Sequence, residues 1–314
     1  MSLKSDVFEY LCVHSDEYVS GETLAQKFNK SRAAVWKAVK TLQNDGVRIQ
    51  AVTNRGYKLL AENDIFNAEA VKNRLDFDCR VVYFDSVDST NTQAKRMIND
   101  GANDVFLVVA AEQTAGRGRQ GKSFYSPADT GIYMSLVVHP NTLIQNAVGI
   151  TTASCVAVCR AIEKITDVKP SVKWVNDVYV GDKKICGILT EAVTDFETQI
   201  VSSVVVGIGV NISTEDFPDG VENASSLNVD VKRAELTAAV ANELNRIIYA
   251  DFSDYIDYYR EHSMLIGKDI FYVKNGEKVF AKATAIDADG GLEVLLENGE
   301  KTVLRSGEIT VRRV

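Results

Sequence analysis

Three short stretches of this 314-residue chain carry side chains suited to handling anions. GRGRQG, residues 116–121, sets Arg117 and Arg119 among Gly116, Gly118 and Gly121. Guanidinium forks match carboxylate or phosphate oxygens two at a time, and glycines let backbone N–H groups approach a ligand closely. The spacing also satisfies G-x-G-x-x-G, but a dinucleotide loop must leave a strand and open a helix. VFLVVAAE before it reads as a strand, whereas KSFYSPADTG and the strand-like IYMSLVV follow. With no helix to receive a pyrophosphate, the loop is read as an anion clamp, and it does not match the P-loop pattern either. In SVDSTN, residues 86–91, Ser89, Thr90 and Asn91 open a helix with hydroxyl and amide groups suited to a neutral polar head such as a ureido group. In KWVND, residues 173–177, Lys173 follows an apolar strand, and Asn176 or Asp177 could give oxygen to Mg²⁺, which prefers one or two protein oxygens plus phosphate. Lys184 heads the next strand.

These residues need a frame. VVYFD (81–85), VFLVVAAE (105–112), IYMSLVV (132–138), VKWVN (172–176), YVGDKKICGILTEAV (179–193) and IVSSVVVGIGVN (200–211) read as strands, with helical spacing over 90–100 and 146–166. That is a mixed α/β layer, an α+β class chain. Beyond residue 265 the pattern is wholly β, with Asn275-Gly276 and Asn298-Gly299 as hairpin turns, the size of an SH3-like barrel, and no cluster in it points to catalysis.

Ahead of the layer, SGETLAQKF and SRAAVWKAVKTLQNDG read as two helices, capped by Ser20 and Ser31, the second ended by Gly46, and VRIQAVTNRGYKLL reads as a hairpin around Asn54, Arg55 and Gly56. Between residues 27 and 58, eight Lys and Arg face one acid, Asp45, although the chain as a whole carries a net charge of −8. Helix, turn, basic helix and basic hairpin make a winged helix-turn-helix for DNA, with Ser31, Arg32, Lys37, Lys40 and Arg55 as contacts, while Val35 and Trp36 are assigned to packing. The domain boundaries expected are 1–64, 65–265 and 266–314.

Composition narrows the class further. Five cysteines in no framework spacing read as reduced, and His14, His139 and His262 are too scattered for a zinc site or a Ser-His-Asp arrangement. The N-terminal stretch is too acidic for a signal peptide, and no apolar run reaches the length of a membrane helix, so a cytoplasmic protein with no membrane partner is expected.

GRGRQG, STN and KWVND, with the helix-turn-helix before and the small β domain after, resemble the bifunctional biotin protein ligases that also repress biotin genes. The resemblance covers essentially the whole chain and implies a central domain of the class II aminoacyl-tRNA synthetase/biotin ligase type. It implies condensation of biotin with ATP to biotinyl-5′-AMP and transfer to a lysine of a biotin carboxyl carrier domain, with Mg²⁺ as cofactor and operator DNA as partner; loop 116–125 is expected to close on the adenylate and so complete the surface of a ligand-promoted homodimer at a sheet edge of the central domain. By the same resemblance, biotin falls to Ser89, Thr90, Asn91, Gln113, Gly116, Arg117, Gly118, Arg119, Lys184 and Gly187. The nucleotide falls to Arg119, Phe124, Lys173, Asn176 and Asn211, the metal to Asn176, and catalysis to Lys173 and Arg119. Two positions depart from the family pattern: Val175 stands for a proline and is expected to be extended and silent, and Phe124 stands for a tryptophan. A lipoate-type ligase and a repressor that senses biotin without chemistry are the alternatives.

Overall fold

In the computed structural model, all residues are described except 1, 2, 16, 45, 46, 61–63, 140, 141, 144–146, 195–199, 222, 250–253, 275, 308 and 312–314. The chain divides into two compact units, Met1–Asn73 and Arg74–Val314.

The first unit contains α1 (Leu3–Val13), α2 (Gly21–Phe28), α3 (Arg32–Asn44), the antiparallel hairpin β1 (Ile49–Val52) and β2 (Gly56–Leu59), and α4 (Ala68–Lys72). Ser20 Oγ accepts from Thr23 N at 3.0 Å, and Ser31 Oγ accepts from Ala34 N at 3.2 Å, so both helices start where their capping hydroxyls stand. Asn29 closes α2 in the left-handed region at φ 50°, turning the chain into α3. Val7, Leu11, Leu24, Val35, Val39, Leu42, Ile49 and Leu59 form the unit's own core. The turn at Gly46 and the Asn275 side of the later hairpin lie outside the described residues.

The second unit is built on an eight-stranded mixed sheet. Its strands are β3 (Arg80–Phe84), β4 (Phe106–Ala110), β5 (Gly131–Val138), β6 (Thr142–Leu143), β7 (Ser171–Lys173), β8 (Asp177–Val180), β9 (Lys183–Thr194) and β10 (Ile200–Asn211). Their order is β3-β4-β5-β10-β9-β8-β7, with β6 beside β10; β3 and β4 run parallel and the remaining pairs antiparallel. Every residue of β4 and β5 is buried, which explains their unbroken apolar sequences. α5 (Thr90–Asn99) and α6 (Ala147–Ile165) pack on the sheet, α6 burying Cys155 and Cys159 completely. α7 (Arg233–Tyr249) and α8 (Asp254–Glu261) lie against α6.

Two strand readings are corrected. VKWVN leaves the ladder after Lys173, because residues 174–176 form the turn of a β7–β8 hairpin that pairs Lys173 with Asp177. YVGDKKICGILTEAV is not one strand but β8 and β9 joined at Gly181, whose φ of 57° favours glycine. The Trp174–Val175 peptide is cis, which the expectation of an ordinary extended valine did not foresee. The chain ends in a five-stranded antiparallel sheet of β11 (Asp269–Lys274), β12 (Glu277–Ile286), β13 (Leu292–Leu296), β14 (Lys301–Leu304) and β15 (Ile309–Val311), ordered β14-β13-β12-β11-β15. Trp174 Nε1 donates to Gly290 O at 2.8 Å and Arg260 Nε to Ile286 O at 2.9 Å, tying this sheet to the β7–β8 turn and to α8.

Candidate active site

The glycine-rich loop folds back on itself as a tight hairpin. Gly118 N donates to Lys122 O at 2.7 Å and Phe124 N to Gly116 O at 2.9 Å. A Cβ on Gly116 would lie 2.3 Å from Phe124 O, so the return strand of the hairpin can pass this close only over a glycine. A short 3-10 turn, Arg119–Gly121, makes the tip, with Gln120 at φ 54°. From there Arg119 reaches across: its Nη1 donates to Asn176 Oδ1 at 3.2 Å and to Gly307 O at 3.4 Å. One residue of the loop thus meets both the KWVND hairpin and the C-terminal sheet.

Behind the loop, the start of α5 is locked into the sheet by a polar chain. Ser89 caps α5, with its side chain accepting from Thr92 N. Thr90 N donates to Gln113 Oε1 at 2.9 Å, and Gln113 Nε2 to Ser126 Oγ at 2.8 Å. Ser135 Oγ, fully buried on β5, lies 2.7 Å from Thr90 Oγ1 and 2.6 Å from Asn91 Oδ1, with one proton to give to either. Asn91 Nδ2 then donates to Glu191 Oε2 at 2.9 Å. Buried polar groups cost free energy unless paired, and pairing of this density fixes Ser89, Thr90, Asn91 and Gln113 before any ligand arrives.

Glu191, which sequence reasoning passed over, is the hub of this wall. Lys95 Nζ lies 2.8 Å from Glu191 Oε1, and Arg117 Nη1 lies 3.0 Å from the same oxygen. Burial pushes its acidity toward the neutral form, but hydrogen bonds from Lys95 and Asn91 and the charges of Lys95 and Arg117 outweigh it and hold the carboxyl below the ordinary glutamate value. Arg117 is therefore engaged by a carboxylate of the protein itself. The only sequence signal for Glu191 was an acid inside an otherwise apolar strand.

A cavity of about 330 Å³ opens between these elements. Ser89, Thr90, Asn91, Gln113, Arg117, Gly118, Arg119, Phe124, Lys173, Asn176, Lys184 and Gly187 all line it. Three stretches separated by up to about 80 residues in sequence thus share one space. A second cavity, about 840 Å³, adjoins it through the common lining residues Gln113, Lys122, Ser123, Phe124 and Lys184. Gly116 and Asn211 line only the second. Asn211 Nδ2 donates to Ser225 O at 3.1 Å, while its Oδ1 is buried without a hydrogen-bond partner. Tyr125 and Phe217 stand edge to face on the same cavity, ring centres 6.3 Å apart. Phe124 lies against the sheet, where a Cβ on Gly209 would come 2.4 Å from its ring and one on Gly187 3.2 Å.

The cations face these spaces differently. Lys173 Nζ lies 5.7 Å from the centre of the Tyr179 ring. Lys184 Nζ stands 2.7 Å from Asp177 Oδ1, an ion pair across the β8–β9 hairpin. Among the described residues no group of three or more His, Cys, Asp or Glu is placed to hold a metal ion. Asn176 Oδ1 accepts from Arg119 and Asp177 Oδ1 is paired with Lys184, so an ion arriving on phosphate would take these oxygens as the two cations turn to the phosphates. The C-terminal sheet, read from sequence as chemically silent, puts Gly307, Ile309 and Thr310 on the wall of the first cavity.

The first unit presents a separate candidate surface. Arg32, Lys37 and Lys40 are exposed on α3 opposite its buried face, and Arg55 is exposed at the hairpin tip, its guanidinium 4.2 Å from the centre of the Tyr18 ring. Ser31 is spent on its cap. Trp36 was assigned to packing and is instead 56% exposed; Val35, assigned likewise, is buried. Among the described residues no helix is long and apolar enough to cross a membrane.

Residues 83–211 match the Biotin/lipoate A/B protein ligase family, residues 6–58 an HTH domain, and residues 266–312 the Biotin protein ligase C terminal domain. The chain is 30% identical over 313 residues to the bifunctional ligase/repressor BirA of Bacillus subtilis (strain 168), covering 95% of each chain. It is 27% identical over 305 residues to the BirA of Escherichia coli (strain K12), covering 94% of each. A biotin protein ligase from Aquifex aeolicus, solved in complex with biotin and ATP, superposes with a TM-score of 0.62 at 26% identity, covering 74% of this chain and 99% of that one.

Proposed function

The chain belongs to the family of the bifunctional biotin ligase/repressors, and we propose that its two cavities bring biotin and ATP together for adenylation while its first unit reads an operator. The observation that carries the reading is that Arg119, Lys173 and Lys184, from three separate stretches, line one cavity. Biotin's carboxylate and the α-phosphate of ATP repel each other, and cations fixed in place beforehand lower the barrier to their meeting.

The roles follow from position. Thr90, Asn91, Gln113 and Ser89 receive the ureido head, and Gly187 and Gly118 let the ligand approach the backbone; Gly116, expected to touch biotin, lines only the second cavity and instead lets the return strand of the loop pass over it. Arg117, held by Glu191, seats the loop beside the ring. Lys184 meets the carboxylate, exchanging Asp177 for it. The carboxylate oxygen attacks the α-phosphorus, the bond to the bridging oxygen breaks and pyrophosphate leaves; Lys173 and Arg119 steady the charge gathering on the α-phosphate. Phe124 packs between the two ligands, and Asn211, with its unpaired buried Oδ1, accepts from the nucleotide in the second cavity. Mg²⁺, held by Asn176 with Asp177 beside it, would supply further neutralisation of the phosphates. In the second step the amine of a lysine on a biotin carboxyl carrier domain attacks the mixed anhydride, and AMP leaves. The regulatory half rests on Arg32, Lys37, Lys40 and Arg55 gripping phosphates, on Ser31 setting the start of α3, and on a ligand-promoted homodimer through an edge strand of the central sheet. The three working segments are 1–64, 65–265 and 266–314. A reducing cytoplasm suits the buried thiols of Cys155, Cys159 and Cys186, which burial holds protonated.

Incubation with biotin and Mg-ATP, then intact mass measurement under native conditions, tests the reading. Retained biotinyl-AMP, with biotin-dependent exchange of pyrophosphate into ATP, is the expected result. Exchange driven by lipoate and not biotin would move the chain to the lipoate ligases, and bound biotin without exchange would leave a sensor.

A further inference from the structure

Helix α3 has two unlike faces. Val35, Ala38, Val39 and Leu42 enter the core of the first unit. On the opposite side Arg32, Trp36 and Lys40 follow one another at intervals of four residues, with exposed Ala33 and Lys37 in the adjoining row. Residues this far apart on a helix stand one above the other. The indole of Trp36 is thus flanked by cations above and below; α3 contains no acid over Arg32–Asn44, and Glu22 of α2 lies 3.8 Å from Arg32 in a solvent-exposed pair that a phosphate can displace. The other tryptophan, Trp174, is 3% exposed.

A single exposed apolar side chain is ordinary, so its exposure alone carries nothing. Its setting does. The flanking cations select a polyanion, and they disfavour a second copy of this face, which would bring Arg32 and Lys40 against their own counterparts. Cations on phosphates fix register without reading sequence; base edges must be read by other groups. Trp36 lies in the first half of α3, the part of a second helix that reaches base edges in a helix-turn-helix. An apolar plane there fits the C5-methyl of thymine, the one apolar group exposed in the major groove.

We propose that Trp36 is a base-reading residue, packing against a thymine methyl in the major groove while Arg32, Lys37 and Lys40 hold the flanking phosphates. This rests on the DNA-binding reading of the first unit. The test uses the full chain with biotin and Mg-ATP, and a pool of duplex DNA randomised over its central positions. The parent should enrich a motif with thymine at a fixed position. Trp36→Ala should enrich the same motif with that preference flattened by about tenfold, while its affinity for unselected duplex stays within about twofold of the parent's because the phosphate contacts remain. Trp36→Phe should fall between. Trp36 is exposed, so these variants keep the parent's far-ultraviolet circular dichroism. Indole fluorescence should shift when selected DNA binds the parent and stay constant for Trp36→Phe, since Trp174 is buried. If the parent binds DNA and Trp36→Ala enriches an identical motif at equal affinity, the proposal is overturned and the DNA-binding reading stands. If the parent retains no DNA from the pool, that reading fails and takes the proposal with it.

Discussion

Lys173 ends β7 and faces the shared cavity over the ring of Tyr179. Placed to stabilise charge on the α-phosphate, it should contribute to the barrier and little to biotin affinity. Lys173→Ala is expected to lower biotin-dependent ATP–pyrophosphate exchange by about 10² to 10³-fold with biotin affinity nearly unchanged, and exchange near the parent's rate would remove the role. Glu191 makes a different kind of prediction. Its folded-state acidity lies below the ordinary value of 4.5, so its ionised form stabilises the fold at pH above that value, and the contribution is lost as pH falls through the depressed one. Glu191→Gln should therefore cost on the order of 1 to 2 kcal/mol near neutrality. Urea melts of parent and variant should converge in acid; a gap independent of pH would show that shape, not charge, is what matters there. Residue types told much of this in advance. Arginine, lysine, glycine and the STN and KWVND patterns pointed to an anion site, because those types are rarely spent together without cause. Sequence could not say that Arg117 is held by Glu191, since a contact between a loop and a strand 74 residues later leaves no local periodicity, nor that Lys184 is held by Asp177, since that pair exists only once the β8–β9 hairpin is recognised.

Elements were legible where hydrophobic patterning is strong and blurred where it continues through a turn. β4, β5 and β10 are buried in the middle of the sheet, and their apolar runs announced them. The β8–β9 hairpin is hidden in the sequence because strand-like apolar residues stand on both sides of the short Gly181–Asp182 turn. The C-terminal sheet was recognised from its Asn-Gly turns, yet its contribution to the cavity rests on Gly307, Ile309 and Thr310, whose side chains are too plain to advertise a site. This arrangement makes Arg119 the brace between three elements: the glycine hairpin, the turn after β7 through Asn176, and the C-terminal sheet through Gly307. Arg119→Gly removes both hydrogen bonds and a charge. Charged hydrogen bonds contribute roughly 1.5 to 3 kcal/mol, so loss of biotinyl-AMP from the variant should be about ten- to a hundredfold faster. Gel filtration of preloaded protein, sampled over time, measures it, and equal retention by the two proteins would mean that the brace does not keep the site closed.

At the scale of the molecule, charge is distributed unevenly. Residues 1–64 hold 9 Lys and Arg against 8 Asp and Glu, whereas the remaining 250 residues hold 26 against 35. An acidic ligase body repels DNA, so attraction must come from the few cations on α3 and the β1–β2 hairpin. Each phosphate neutralised releases counterions, and the slope of log affinity against log salt is about −0.9 per contact. With Arg32, Lys37, Lys40 and Arg55 engaged, one protomer should show a slope of roughly −3 to −4. If biotin and Mg-ATP join two protomers on one duplex, both helices engage together and the slope should about double, while sedimentation reports twice the mass. The Michaelis constant for biotin, set among groups lining a cavity and not on the open surface, should change far less over the same salt range. A slope that stays at the single-protomer value with ligand present, alongside an unchanged monomer in the centrifuge, would separate the two functions of the chain and leave its DNA binding independent of its chemistry.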